Sequence, residues 1–392
     1  MRIALFLSEA RGGGAQRRMF ALARGFRALG AEVELLFAAH DGSPVPEAGD
    51  VPVRTLRPRA TANGAPRRLL WVPRALPALC AYLRRTRPDA LLSTSIPANL
   101  TAIAAVRAAG CGTALVVSAN LHLKAALGRN GGRLLALPRL IGRCYRQADA
   151  VVAISEGVAE DLRRWMGERG PLVATVQNPV DVDRIRSLAR STPADPQLSP
   201  QHRPYLLGCG KLRSQKDFAT LLRAFARVAR VGDLDLVVLG EGPERPRLLR
   251  LAAALGIAER VRFPGFVANP YPWMARARLF VLSSRFEGAS NVLLEALALG
   301  LPIVATDCPS GPREILAGGR YGMLVPVGRP EAMAAAILQQ LREPGGAEMR
   351  IARARSYSVE KAARAYLDTI RAAVQKRCAG TYPLPLAAGR IR

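Results

Sequence analysis

The chain of 392 residues is predicted to fold as two doubly wound α/β domains that face each other across a cleft. Three observations predict this. Short apolar runs alternate with longer segments of helical period, the pattern of parallel strands and crossover helices. That pattern runs once over residues 1–185 and again over residues 205–358, and the segment between them, residues 186–204 with STPADPQLSPQHRP at its end, has the composition of a linker. The length is also too great for one core and suits two domains of about 180 residues each.

In the first domain Ile3 to Leu7 reads as a strand. The turn from Ser8 to Ala15, with Gly12, Gly13 and Gly14, leads into a helix from Gln16 to Leu29, and Val33 to Ala38 is the next strand. A glycine-rich turn at the carboxyl end of a first strand lets a ligand approach the backbone closely. Its spacing is not that of the dinucleotide-binding fingerprint. From Pro44 to Pro77 proline and arginine dominate, and Arg67, Arg68 and Arg74 flank Leu69, Leu70, Trp71 and Val72. That segment fits a membrane-interface element or a core helix with arginines on its outer face. Strands follow at Ala90 to Ser93, Ala114 to Ser118, Ala150 to Ile154 and Val173 to Val176. Helices are expected at Asn99 to Ala109, at Arg133 to Gln147, and from the cap Ser155 through Met166.

The second domain opens on a strand, Tyr205 to Cys209, and a turn, Gly210 to Lys216, before a helix from Asp217 to Arg230. Leu234 to Leu239 is a strand, Gly240 to Pro243 a tight turn, and Arg245 to Leu255 a helix. Val261 to Phe263, Leu279 to Leu282 and Ile303 to Ala305 complete the strands. An amphipathic helix over 359–378 is expected to pack back toward the first domain, and residues 379–392 are expected to form a loose tail.

The formal net charge is +27, which calls for an anionic partner or surface. From Val51 to Ala148 there are sixteen Arg or Lys and a single acid, Asp89. Attraction to an anionic membrane surface, plain arginine-rich composition and nucleic-acid binding are the readings of this face. Nucleic acid is disfavoured because stacking aromatics are not interleaved with the basic residues. The apolar run near Met1 meets Ser8 and Glu9 at once, too short for a signal-peptide core, and no run approaches a membrane span. Six cysteines stand singly, without metal-ligand spacing, as expected of a reducing compartment.

The stretch from Phe286 to Ile315 is the strongest candidate site. Glu287 and Glu295 bracket Gly-Ala-Ser-Asn, and Ser290 is placed to cap the helix that carries Val292 to Leu299, closed by Gly300 and Pro302. The free amides of Asn291, Val292 and Leu293 would then hold an anion, with a carboxylate on either side for hydroxyl groups. A diphosphate linked to two polyols has that layout. Taken alone, the two glutamates read better as a surface loop residue and a solvated helix residue; the surrounding motifs shift the balance.

With these residues in view, the chain resembles the retaining glycosyltransferases of family 4 over roughly residues 1–375. The resemblance rests on GGGAQR, ADAVVAISEGVAEDL, NPVD, GCGKLRSQKDF and EGASNVLLE. It implies the GT-B fold, in which two Rossmann-like domains bind a nucleotide-sugar donor between them. Glu287 would contact the transferred sugar and Glu295 the ribose hydroxyls. Lys216 would pair with the diphosphate, assisted by amides near Ser290, Asn291 and Val292, and Gly13 and Gly14 would lie beside it. Lys211 stands where relatives often have arginine, which keeps the charge and loses the bidentate fork. Gln16 replaces the acid of the family's usual GGAER. Many relatives have a histidine lining the sugar site where this chain has Asn120; His122, two residues on, either takes that role or is a loop histidine. No DxD-like pair is present, and the resemblance implies metal-independent transfer with no cofactor.

The expected function is therefore transfer of a hexose or N-acetylhexosamine, UDP-linked by preference, to a lipid-linked or cell-surface glycan. The enzyme would work at the cytoplasmic face of the cell membrane. The segment TDCPSGPREIL is similar to that of bacterial polysaccharide and lipid-linked oligosaccharide enzymes. A soluble-acceptor transferase or a sugar epimerase would share the donor site, and a nucleic-acid-binding protein would account for the charge alone.

Overall fold

A computed structural model of the chain describes residues 1–9, 14–41, 43, 45, 48–57, 73–127, 136–167, 170–191 and 203–379. Gly12 and Gly13, the segment from Arg67 to Val72, the start of the helix expected from Arg133, most of the linker and the tail from residue 380 lie outside the described residues.

The first sheet contains β1 (Arg2–Leu7), β2 (Glu32–Phe37), β3 (Val53–Thr55), β4 (Ala90–Thr94), β5 (Ala114–Ala119), β6 (Ala150–Ala153) and β7 (Leu172–Thr175). The second contains β8 (Tyr205–Cys209), β9 (Asp235–Leu239), β10 (Val261–Gly265), β11 (Leu279–Leu282), β12 (Ile303–Thr306) and β13 (Met323–Val325). Their orders are β3-β2-β1-β4-β5-β6-β7 and β10-β9-β8-β11-β12-β13, and every pairing is parallel. Parallel sheets are covered by helices on both faces, so their strands read as continuous apolar runs. Here β4, β5, β9 and β11 are buried along their whole length. Each sheet separates two apolar clusters, one on either face.

Strand order reverses between β1 and β4 and again between β8 and β11. In doubly wound sheets ligands bind beyond the carboxyl ends of the strands at that reversal. The helix Gly14–Ala28 follows β1, and the loop of residues 210–217 follows β8. The start of that helix and that loop therefore stand where this topology opens a crevice.

The helix Val182–Ala189 changes the division of the chain. Residues up to 185 were expected to close the first domain and 186 onward to form the linker. Instead Val180, Val182 and Ile185 are buried in the second domain's core with Phe280 and Leu293. Asp181 caps this helix, its carboxylate accepting the Arg184 amide at 3.0 Å. The last helix, Val359–Cys378, places Ala363, Tyr366 and Ile370 among Leu5, Phe26 and Leu35 of the first domain. The chain thus leaves the first domain near Val180 and returns near Tyr357, and the Val180 amide donates to the Tyr357 carbonyl at 2.8 Å.

Candidate functional site

The loop of residues 210–217 is bound to the segment that follows β11 by a set of short contacts. The Ser283 hydroxyl donates to the Lys216 carbonyl at 2.7 Å, the Arg285 amide to the Gln215 carbonyl at 2.8 Å, and Gln215 Nε2 to the Phe286 carbonyl at 3.0 Å. Arg285 Nε lies 2.9 Å from Asp217 Oδ2, which also accepts the Thr220 hydroxyl. Lys216 has its carbonyl fixed in this framework. Its Nζ lies 2.6 Å from Glu287 Oε1, which also accepts the Ser284 hydroxyl at 2.5 Å. The Lys216 side chain is 18% exposed and that of Glu287 7%. Two residues chosen from separate motifs, 71 positions apart, are thus one charge-paired unit at the carboxyl edge of the second sheet.

The helix Asn291–Ala298 follows directly. Ser290 occupies its N-cap position, but the expected side-chain cap is not made: Oγ is buried with no hydrogen-bond partner. The amides were expected to be free through Leu293; that of Leu293 donates to the Ser290 carbonyl at 3.0 Å. The tight first turn supplies this acceptor and makes the hydroxyl unnecessary. Among the described residues no partner meets the amides of Asn291 and Val292, so an anion-accepting end remains at the helix start.

Glu295 lies one turn deeper on this helix and is 7% exposed. Burial pushes its carboxyl above the usual range, against the opposing pull of Arg17 and a hydrogen bond from Tyr271. Arg17 Nη2 reaches it from the first domain at 3.5 Å. Two thiols flank the same space. Burial pushes Cys209, near Glu295, Arg17 and Lys216, up to about 12, and does the same to Cys308, near Glu287 and Lys216. Both stay protonated at neutral pH and are poor nucleophiles.

The first domain closes on this surface at short range. A Cβ on Gly14 would sit 2.2 Å from Asn291 Nδ2, and one on Gly288 would sit 2.1 Å from the Asn120 carbonyl oxygen. At Gly288 the atom met is backbone, so only glycine admits that approach, whereas a side chain at Gly14 would have to displace the Asn291 amide. The Ser155 hydroxyl donates to the Gly288 carbonyl at 2.7 Å. Glu314 of the second domain accepts the amides of Glu156 and Gly157 at 2.9 and 3.1 Å, so a carboxylate from one domain caps the helix Glu156–Met166 of the other.

Of the remaining sequence-predicted residues, Gly14 and Asn291 meet as described, and Gly13 lies outside the described residues. Lys211 is exposed, on the same loop as Lys216. Among the described residues, no hydrogen bond or ion pair joins His122 to the second domain. Its Nδ1 lies 3.4 Å from Asp161 Oδ2 and 3.3 Å from the Ala125 amide, contacts that belong to the first domain's own helices. Asn120 is the residue at the interface. Its side chain accepts from Arg18 and donates to Thr94 at 2.6 Å each.

Sequence reasoning missed Arg17, Arg18, Tyr271 and Asn178. A signal for Arg18 was present. It falls among Met19, Leu22, Ala23 and Phe26 on the buried face of its helix, where a solvated arginine has no place. Arg17 ends the GGGAQR motif and Asn178 opens NPVD, which placed both in recognised motifs without a role; Tyr271 carries no such signal.

Comparison with known proteins places these elements. A family profile described as Glycosyltransferase Family 4 matches residues 12–184, and one described as Glycosyl transferases group 1 matches residues 203–343. Over 194 residues the chain is 37% identical to the N-acetylgalactosamine-N,N'-diacetylbacillosaminyl-diphospho-undecaprenol 4-alpha-N-acetylgalactosaminyltransferase of Campylobacter jejuni, covering 50% of this chain and 51% of that protein. Over 200 residues it is 34% identical to the lipopolysaccharide core biosynthesis glycosyltransferase LpsE of Rhizobium meliloti, covering 50% and 54%. The matched regions thus span about half the length of these curated relatives. Among solved structures, HepE of Anabaena in complex with UDP superposes with a TM-score of 0.72 at 19% identity, over 95% of this chain and 100% of that one. The fold is that of GT-B glycosyltransferases.

Proposed function

The chain belongs to the group 1 and family 4 glycosyltransferases, and on that premise we propose that it is a retaining, metal-independent transferase. It moves a hexose or N-acetylhexosamine from a UDP-sugar to a lipid-linked or cell-surface glycan. The observation that carries the reading is the Lys216–Glu287 pair at 2.6 Å, set beside the open amides of Asn291 and Val292. Together they offer cations and donors for a diphosphate and a carboxylate for sugar hydroxyls.

In the proposed reaction the bond between the anomeric carbon and the diphosphate oxygen breaks. A bond from the acceptor hydroxyl oxygen forms on the same face, and the hydroxyl proton passes to the departing phosphate oxygen. Lys216 and the helix amides stabilise the charge that grows on the leaving group, and Lys211, exposed on the same loop, adds to the local positive potential. Glu287 orients the sugar, and Glu295, steered by Arg17 and Tyr271, takes the ribose hydroxyls. His122 is assigned no proton transfer, in keeping with its contacts to Asp161 and Ala125.

The acceptor class is supported by the relatives' names, which include a diphospho-undecaprenol-linked acceptor and lipopolysaccharide core. No helix among the described residues is long and apolar enough to cross a membrane. The helix Ala136–Tyr145 exposes Leu137 and Leu140 beside Arg139 and Arg143, a surface suited to peripheral contact with anionic lipid at the cytoplasmic face. The deciding experiment screens UDP- and GDP-sugars by thermal shift and then follows the anomeric configuration of the product by NMR. A stabilising donor and a product of retained configuration are expected. No shift with any nucleotide sugar, or an inverted product, would overturn the reading.

A further inference from the structure

Arg18 carries a charge that no described residue of the first domain neutralises. It is 3% exposed. Its Nη1 donates to Asn178 Oδ1 at 2.9 Å, and Nη2 is shared among Thr94 Oγ1 at 3.0 Å, Ser118 Oγ at 2.9 Å and Asn120 Oδ1 at 2.6 Å. All four acceptors are neutral. Nε is buried with no partner at all, and no carboxylate pairs with the group among the described residues. A guanidinium remains protonated throughout the physiological range. Burying a cation without a counter-ion is costly, and a well-packed neutral side chain in its place is often no less stable. Packing alone therefore does not account for an arginine at this position.

The location accounts for it. Thr94 ends β4, and Ser118 and Asn120 stand at the end of β5, so the guanidinium lies under the carboxyl edge that faces the second domain. Asn178 passes the contact on. Its Nδ2 donates to Asn291 Oδ1 at 2.5 Å, and Asn291 is the first residue of the helix whose open amides meet the diphosphate in the proposed reaction. Gly14, one turn before Arg18, packs its backbone on the same Asn291 side chain.

We propose that Arg18 is a positioning residue whose uncompensated charge is balanced by the donor's diphosphate, and that it holds Asn178 and Asn120 in the orientation that diphosphate requires. The inference rests on the reading of the chain as a nucleotide-sugar transferase. It adds that a cation which touches no substrate atom contributes to donor affinity and to leaving-group departure.

Asn178→Asp provides the test with the least disturbance. It sets a carboxylate 2.9 Å from Nη1, neutralising Arg18 without opening a cavity. The donor to Asn291 Oδ1 is lost with the amide, and Asn178→Leu, which loses that donor and adds no charge, is the control that should weaken UDP less. The ligand-free protein should melt at the same temperature or higher, while UDP binding measured by calorimetry weakens on the order of tenfold and kcat falls by at least as much. Uncharged uridine should bind as before. Arg18→Met should show the same loss for UDP, and Arg18→Lys, which keeps the charge, should recover most of it. If Arg18→Met does not fold, the Asn178→Asp result stands alone. UDP affinity and kcat unchanged in Asn178→Asp would overturn the inference, as would Arg18→Lys behaving no better than Arg18→Met. Failure of the unmodified protein to bind UDP or transfer any sugar would instead overturn the functional reading, and the inference with it.

Discussion

Replacing Lys216 by methionine isolates the charge pair at the centre of the site. At 2.6 Å and an effective dielectric constant of about 20, Coulomb's law gives a gross attraction of roughly 6 kcal/mol. Most of that offsets the desolvation of two groups held 18% and 7% exposed. What remains visible is the cost of leaving one partner behind. Lys216→Met strands the Glu287 carboxylate beneath Ser284 with no cation, a situation that costs about 3 kcal/mol at the lower end for broken buried pairs. For a domain of this size that is a fall in Tm of roughly 6–12 °C. Glu287→Gln should cost far less, since the freed ammonium reaches water. The double variant should recover about 2 kcal/mol of the first loss, a coupling term that a thermodynamic cycle measures directly. Calorimetry on the four proteins, without ligand, is sufficient. A Lys216→Met protein that melts within 2 °C of the parent, or a double variant that is strictly additive, would refute the idea that these two side chains form one buried unit.

Further outcomes follow from other contacts. Glu295 has a folded pKa above its unfolded one, so its favourable contribution is complete at low pH and is lost as pH rises through the folded value. Glu295→Gln should therefore raise the ligand-free Tm by about 1–3 °C at neutral pH, with the gain vanishing near pH ~4 where both states are protonated, while UDP binds more weakly. A melting curve no higher than the parent's at neutral pH would count against a buried, destabilised carboxylate. Gly288→Ala places a methyl group against the Asn120 carbonyl; small-angle scattering should show a larger radius of gyration with circular dichroism unchanged, and transfer should drop at least tenfold. An unaltered radius would mean that the two backbones do not meet in solution. Leu140→Glu should reduce cosedimentation with anionic vesicles without changing the melting temperature, and equal sedimentation of both proteins would remove this helix from the proposed membrane surface.

The strands that could be read from sequence were those buried on both faces. Leu91, Leu92, Val116 and Val117 leave no alternation to misread, and burial alone makes them apolar. The edge strands β3 and β13, three residues each, carry too short a pattern to distinguish from loop. Val182–Ala189 was misassigned because chain order suggested the first domain, whereas its apolar residues pack against Phe280 and Leu293 of the second. The site divides in the same way. Glu287, Lys216, Glu295 and Asn291 were legible as members of local motifs. The charge pair joining two of them, Arg17 reaching Glu295 across the cleft, and Glu314 capping a helix of the opposite domain all depend on three-dimensional closure. Ser290 shows the limit within a motif: the right residue at the right position, with its hydroxyl unused because the Ser290 carbonyl serves the Leu293 amide instead.

The paired crossings at Val180 and Tyr357 make the second domain an insert within the first, since helix Val359–Cys378 rejoins the sheet that β1 begins. This governs how the molecule bears load. A pull applied between Arg2 and Cys378 acts across the first sheet and the helix packed on it, with the inserted domain outside the line of force. The second domain comes under tension only after the first has given way. Single-molecule extension should therefore show the host rupturing first, with the insert unravelling afterwards as a separate event.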